Sequence, residues 1–204
     1  MKKRWIALLC ALCLLPLPAR AAPVSYPDIA GDEWFVEAVE VMTREGIMTG
    51  LEGDIFGLYE PVTRATVITV LWRLEGSPQA SVEEPFTDAE EDWYATQAAW
   101  AKGTGVATGY ADGSFGGRDL VTREQLACFL YRYAQYKEET VAEGALGLFK
   151  DSDAVSDWAE DAVRHAVGVG ILQGSDLGTL EPQGIANRAA LAVMLQRMRT
   201  PAVG

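Results

Sequence analysis

Four landmarks recur three times along this chain at identical intervals. Trp34, Gly46, Gly50 and Arg64 stand 12, 4 and 14 positions apart. Trp93, Gly105, Gly109 and Arg123 repeat those intervals, and so do Trp158, Gly170, Gly174 and Arg188. A second arginine follows nine positions later in each copy: Arg73, Arg132 and Arg197. Matched spacing in three copies marks a repeat protein, and a repeat decides architecture before any local detail does. Length varies in two places only. One precedes each tryptophan, where Asp28, Asp88 and Asp151 stand six, five and seven positions ahead. The other is the pair of linkers, "EGSPQASVEEP" and "AQYKEETVAEGALG", whose polar and small residues read as surface connectors.

Each unit reads as helix, loop, helix. "DEWFVEAVEVMTREG" sets Trp34, Ala38, Val41 and Met42 on one apolar face at helical spacing. Gly46, Gly105 and Gly170 fall where a left-handed C-terminal cap is expected, and Ile47, Val106 and Ile171 follow as apolar plugs. The loops "GLEGDIF", "GYADGSF" and "GSDLGTL" each deliver one apolar residue: Phe56, Phe115 and Leu180. Thr63, Thr122 and Asn187 are good N-caps for the second helix, and Gln125 completes a capping box with Thr122.

A unit of about 50 residues buries little and is marginal alone. The fold class expected is therefore mainly α: three helix–loop–helix repeats, 26–75, 85–134 and 148–199, sharing one core with pseudo-three-fold character. Ahead of them, residues 1–21 have a basic head (Lys2, Lys3, Arg4), a short apolar run and an A-x-A site at Ala19-Arg20-Ala21. This reads as a secretory signal peptide, too short for a membrane span of ~20 residues. Cys10 and Cys13 lie in that signal, and Cys128 alone follows it, in the apolar run of a helix. The exported chain thus has no intramolecular disulfide to form, and Cys128 reads as a small buried hydrophobe.

The whole chain has 17 basic and 29 acidic residues, for a formal charge of −12. Four of the basic residues and no acids lie in the signal, so the exported chain carries −16. Such a surface repels nucleic acid and anionic membranes, and an anionic partner would need a local site.

The repeated pieces "YPD", "FTD" and "FKD", the tryptophans, the loop "GYADGSF" and the helix starts "TRAT", "TREQ" and "NRAA" resemble the S-layer homology family over about residues 26–198. The family's usual "TRAE" glutamate is missing in all three copies, and the loop keeps the family pattern most closely in the second. The resemblance implies a three-pronged helical spindle with ligand grooves between neighbouring units. It also implies non-covalent attachment of exported proteins to the bacterial envelope. The implied partner is a secondary cell-wall polysaccharide, often ending in a pyruvylated amino sugar, and the implied location is the cell wall or S-layer.

An arginine at the first helical position stands beside unpaired N–H groups at the positive end of the helix dipole. Placing Arg64, Arg123 and Arg188 there points to an anion site in which a guanidinium fork and free N–H groups meet a carboxylate. The competing reading is a solvated or ion-paired arginine. On the binding reading Arg123→Ala would weaken wall binding and leave folding nearly unchanged. Trp34, Trp93 and Trp158 could stack on a sugar, but core packing is the favoured role. Asp28, Asp88 and Asp151 either accept sugar hydroxyls or cap the first helix. Arg73, Arg132 and Arg197 are assigned to structure, where the dipole favours late cations. His165 takes an apolar position and reads as packed. "DSDAVSDWAED" lacks the glycine of a calcium loop. No catalytic constellation, metal set or cofactor motif is recognisable, so the chain reads as non-catalytic, without metal or cofactor. Two other classes compete: an envelope assembly protein acting through protein–protein contacts, and an envelope hydrolase.

Overall fold

Local sequence sets the ends of the first helices and the starts of the second. In the computed structural model the first helices of the three units are α1 (Val36–Arg44), α3 (Ala95–Gly103) and α5 (Glu160–Gly168). The second helices are α2 (Arg64–Leu74), α4 (Arg123–Tyr136) and α6 (Arg188–Arg199). The structure describes residues 26–200 apart from Ala30, Asp32, 81–84, Glu90 and Glu91, so the segment read as a signal peptide lies outside the described residues. Helix α1 ends in a Schellman turn: Gly46 N donates to Thr43 O and Ile47 N to Met42 O, with Gly46 at φ +70°. Gly105 and Gly170 take the same left-handed cap at +76° and +77°. Thr63, Thr122 and Asn187 each accept a backbone N–H three residues on, and Gln125 returns the bond to Thr122 N at 2.9 Å.

The helices do not pair within their own units. Helix α3 packs on α2, α5 packs on α4, and α1 packs on α6. Each first helix therefore lies against the second helix of the preceding repeat, and the last repeat receives the first. The chain closes into a ring of three lobes. Arg199 and Glu45 form a 2.7 Å ion pair across the lobe that joins the two ends.

Backbone hydrogen bonds make the same circuit at the centre. Val121 N donates to Val62 O (3.1 Å), Val62 N to Ala186 O (3.0 Å) and Ala186 N to Val121 O (2.8 Å). All three residues are buried. Only isolated bridges, such as Thr63–Leu120 and Thr122–Ile185, flank this ring; among the described residues there is no longer strand. One continuous hydrophobic core spans the lobes and includes Phe56, Phe115 and Leu180.

The structure moves several side chains from their expected places. The apolar face of α1 is Phe35, Ala38, Val39 and Met42, whereas Trp34 is 66% exposed. Trp93 and Trp158 are 63% and 62% exposed, so core packing is not their role. The reason is register. Each helix begins two residues after its tryptophan, and the next residue (Phe35, Tyr94 or Ala159) turns inward. The second linker stays on the surface but is tied to α5: Gly144 N donates to Arg164 O and Ala142 N to His165 Nδ1. His165 is packed, with its ring 5.2 Å from that of Tyr131. Cys128 is free and buried, and burial pushes its thiol up to about 11.

Candidate functional site

The helix-start arginines repeat one contact around the ring. Arg64 Nε donates to Phe115 O (2.8 Å), Arg123 Nε to Leu180 O (2.8 Å) and Arg188 Nε to Phe56 O (2.9 Å). Each arginine thus reaches into the loop of the next unit. The adjacent helix-start N–H groups make the same crossing. Arg64 N and Ala65 N donate to Asp119 O and Gly117 O, Arg123 N and Glu124 N to Gly184 O and Pro182 O, and Arg188 N and Ala189 N to Glu60 O and Leu58 O. The free N–H groups expected at an anion site are therefore already occupied. Loop carbonyls satisfy the helix ends, and that interlock is what holds neighbouring repeats together.

The aspartates brace the same loops from behind. Asp28 accepts from Phe56 N and Gly57 N, Asp88 from Phe115 N and Gly116 N, and Asp151 from Leu180 N and Glu181 N, all at 2.6–2.8 Å. They do not cap the first helices, whose N-cap residues make no side-chain cap bond. Burial acts to raise the Asp28 and Asp151 carboxyls, and the paired N–H donors outweigh it and hold both below their ordinary value. The residue braced by the aspartate is also the one whose carbonyl meets the arginine. Aspartate, loop peptide and arginine form one relay across each junction.

The remaining faces of these arginines line three grooves. Groove I holds Arg188, Arg73 and Trp93; groove II holds Arg64, Arg132 and Trp158; groove III holds Arg123, Arg197 and Trp34. Their cavity volumes are about 160, 250 and 550 Å³. Every groove takes its helix-start arginine from one repeat, its loop and late arginine from the next, and its tryptophan from the third. Arg73, Arg132 and Arg197, assigned above to structure, stand in the groove walls. The spacing of nine positions already put each on the same helix as its N-cap, but only the ring shows which arginine of the preceding repeat it faces.

Burial pushes Arg64, Arg123, Arg188 and Arg197 below the ordinary arginine value. Arg64 also lies over the rings of Tyr110 and Phe115, at 4.7 and 4.9 Å. Among the described residues none of the groove arginines forms an ion pair. A desolvated cation without a carboxylate partner gains most from an anion brought in by a ligand.

A closed ring of three helix–loop–helix units with inter-repeat grooves defines a tandem-repeat module. The chain belongs to the S-layer homology domain family, whose model matches at 25–68, 85–127 and 148–192. It is similar to the exoglucanase XynX of Acetivibrio thermocellus, at 30% identity over 84% of this chain and 16% of that protein. It is also similar to the amylopullulanase of Thermoanaerobacterium thermosulfurigenes, at 31% identity over 80% of this chain and 9% of that one. An S-layer protein of Bacillus thuringiensis subsp. finitimus is 26% identical over 88% of this chain and 22% of its own length. The chain thus spans less than a quarter of each of these relatives.

Proposed function

We propose that the chain is a non-catalytic, exported module that binds an anionic secondary polysaccharide of the bacterial cell wall and so attaches non-covalently to the envelope. One observation carries the reading. A chain of strongly negative charge gathers in each of three grooves two arginines that form no ion pair among the described residues, and sets an exposed tryptophan beside each pair. A guanidinium next to an aromatic face suits a sugar that carries a carboxylate. A pyruvylated amino sugar is such a ligand. The S-layer proteins among the relatives support a place at the cell surface. Among the described residues no helix is long and apolar enough to cross a membrane.

Sedimentation with purified wall sacculi tests this reading. The protein should pellet with untreated sacculi and stay in solution once the secondary polymer has been removed chemically. Pelleting that survives removal would replace the carbohydrate ligand with a protein or peptidoglycan partner. Release of sugar or lysis of the wall would replace the binding module with a hydrolase.

A further inference from the structure

Outside the three grooves, a further cavity of about 410 Å³ lies in the third repeat, between the C-terminal halves of α5 and α6 and the second linker. The second repeat shows why it is open. Seven positions after its landmark tryptophan, and ten after its helix-start arginine, stand Trp100 and Tyr133. Both are buried, and each packs its ring on Tyr136, at 6.2 and 6.3 Å. The third repeat has His165 and Met198 at those positions, and both line the cavity. Two large rings are thus replaced by smaller side chains. The volume falls within the range of about 300–1,000 Å³ usual for small-molecule sites.

The polar groups of the cavity are of two kinds. Ala142 N in the second linker donates to His165 Nδ1 at 3.2 Å, so the neutral imidazole carries its proton on Nε2. Burial lowers the His165 pKa and favours that neutral form. Nε2 has no hydrogen-bond partner among the described residues, and the ring, 2% exposed, lines the cavity. A buried donor is therefore left to an open space. Arg197 lines the same cavity and uses only Nη1 among the described residues, on Ile171 O. On the linker side stand Glu138 and Glu139. Glu138 takes the left-handed turn after α4 at φ +56°, where Gly76 follows α2 at +77°. A glutamate thus holds a strained position that glycine fills without cost. In the second repeat the counterpart is Glu75, at the end of α2, which accepts from the Tyr133 hydroxyl and pairs with Lys137 Nζ at 2.9 Å. Glu138 and Glu139 form no ion pair among the described residues.

We propose that this cavity binds a small zwitterion of dipeptide size, with its carboxylate on His165 Nε2–H beside Arg197, its ammonium on Glu138 and Glu139, and its apolar side chain against Met198. The ligand fills from outside the space that Trp100 and Tyr133 fill from within. Its ammonium takes the part that Lys137 plays on Glu75. Val169 and Ile171 add apolar surface for its body. The site is distinct from the grooves, since groove III shares only Arg197 and Ile171 with it.

The chain has a single histidine, so its imidazole nitrogen signals in magnetic resonance report this cavity alone, and the Trp34 indole reports groove III. The probes are alanyl-alanine in its L,L and D,D forms, N-acetyl-alanyl-alanine and alanyl-alaninamide. One form of the free dipeptide should shift the His165 signals saturably and leave Trp34 unmoved. Blocking either end removes a charge-assisted contact and should weaken binding about tenfold or more. Glu138→Gln combined with Glu139→Gln, both at exposed positions, should weaken the dipeptide by a similar factor and leave the N-acetyl probe unchanged. His165→Trp combined with Met198→Tyr copies the second repeat and should abolish binding in calorimetry. The glutamine variant decides the matter if that copy fails to fold. The proposal is overturned by the absence of a saturable shift with either dipeptide, by equal affinity for the blocked probes, or by undiminished binding to the glutamine variant. A shift at Trp34 with none at His165 would put the ligand in groove III and overturn it as well.

Discussion

Arg64, Arg123 and Arg188 each work on two sides. Nε fastens a helix start to the next repeat's loop, and the outer edge of the guanidinium faces a groove. An alanine at these positions therefore costs stability, contrary to the expectation of an intact fold. Arg64→Ala leaves the buried Phe115 carbonyl without its donor and should destabilise by about 1–3 kcal/mol in chemical denaturation. Arg64→Lys should recover only part, because an ammonium cannot hold the carbonyl and face the groove together. The aspartates give a dependence on pH with a fixed sign. Asp28 and Asp151 have lowered folded values, so their contribution is complete above the unfolded value of about 3.9 and is lost as pH falls through the folded one. The melting temperature should fall on acidification from about pH 5 to about pH 3. Asp151→Asn should start lower and fall less over that interval; a parallel fall in both proteins would remove Asp151 from the account. None of this was legible locally. Asp151 and the N–H groups it braces are 29 and 30 positions apart, and no window along the chain joins them.

The helices show where sequence reading succeeds and where it stops. Caps are decided by a few adjacent residues, so Gly46, Gly105, Gly170, Thr63, Thr122 and Asn187 were readable in place. The capping box of Gln125 was readable for the same reason. Trp34, Trp93 and Trp158 were not, because they precede the first α-helical residue and the 3.6-residue period does not extend to them. The partner of each helix was also hidden. An amphipathic stripe says that a face is buried, not which repeat covers it. The crossing of the second linker over α5 is a further case. A Cβ on Gly168 would stand 2.8 Å from Gly144 N. Alanine gains up to about 1 kcal/mol in helix preference over glycine, but here it must displace backbone, which costs about 1–3 kcal/mol. The contact should win, so Gly168→Ala should lower the melting temperature and speed hydrogen exchange at Gly144 N. A stabilised variant would show that the linker yields without cost.

The pairing of each first helix with the preceding repeat makes the ring the smallest cooperative unit. In residues 26–75 alone, α1 lacks α6 and α2 lacks α3, so the fragment keeps neither of its helix partners. It should show no sharp thermal transition, and a sharp one would refute the shared core. Removing α6 from the full chain should uncover α1 as well as the third repeat, and loosen the fold at both ends rather than at one. The shared core and the three-fold plan were legible from spacing and unit size; the cyclic exchange of helices was not. The closure of that ring also constrains how such a sequence can change over generations. Recombination between near-identical repeats readily deletes or adds one copy. In a solenoid the product is a shorter or longer stack. Here a two-copy descendant leaves α1 without the third repeat's α6, and every groove loses one of the three copies it is built from. Loss of one copy thus damages all three grooves at once, whereas the linkers, which lie outside the exchanged helices, can change length without breaking the ring.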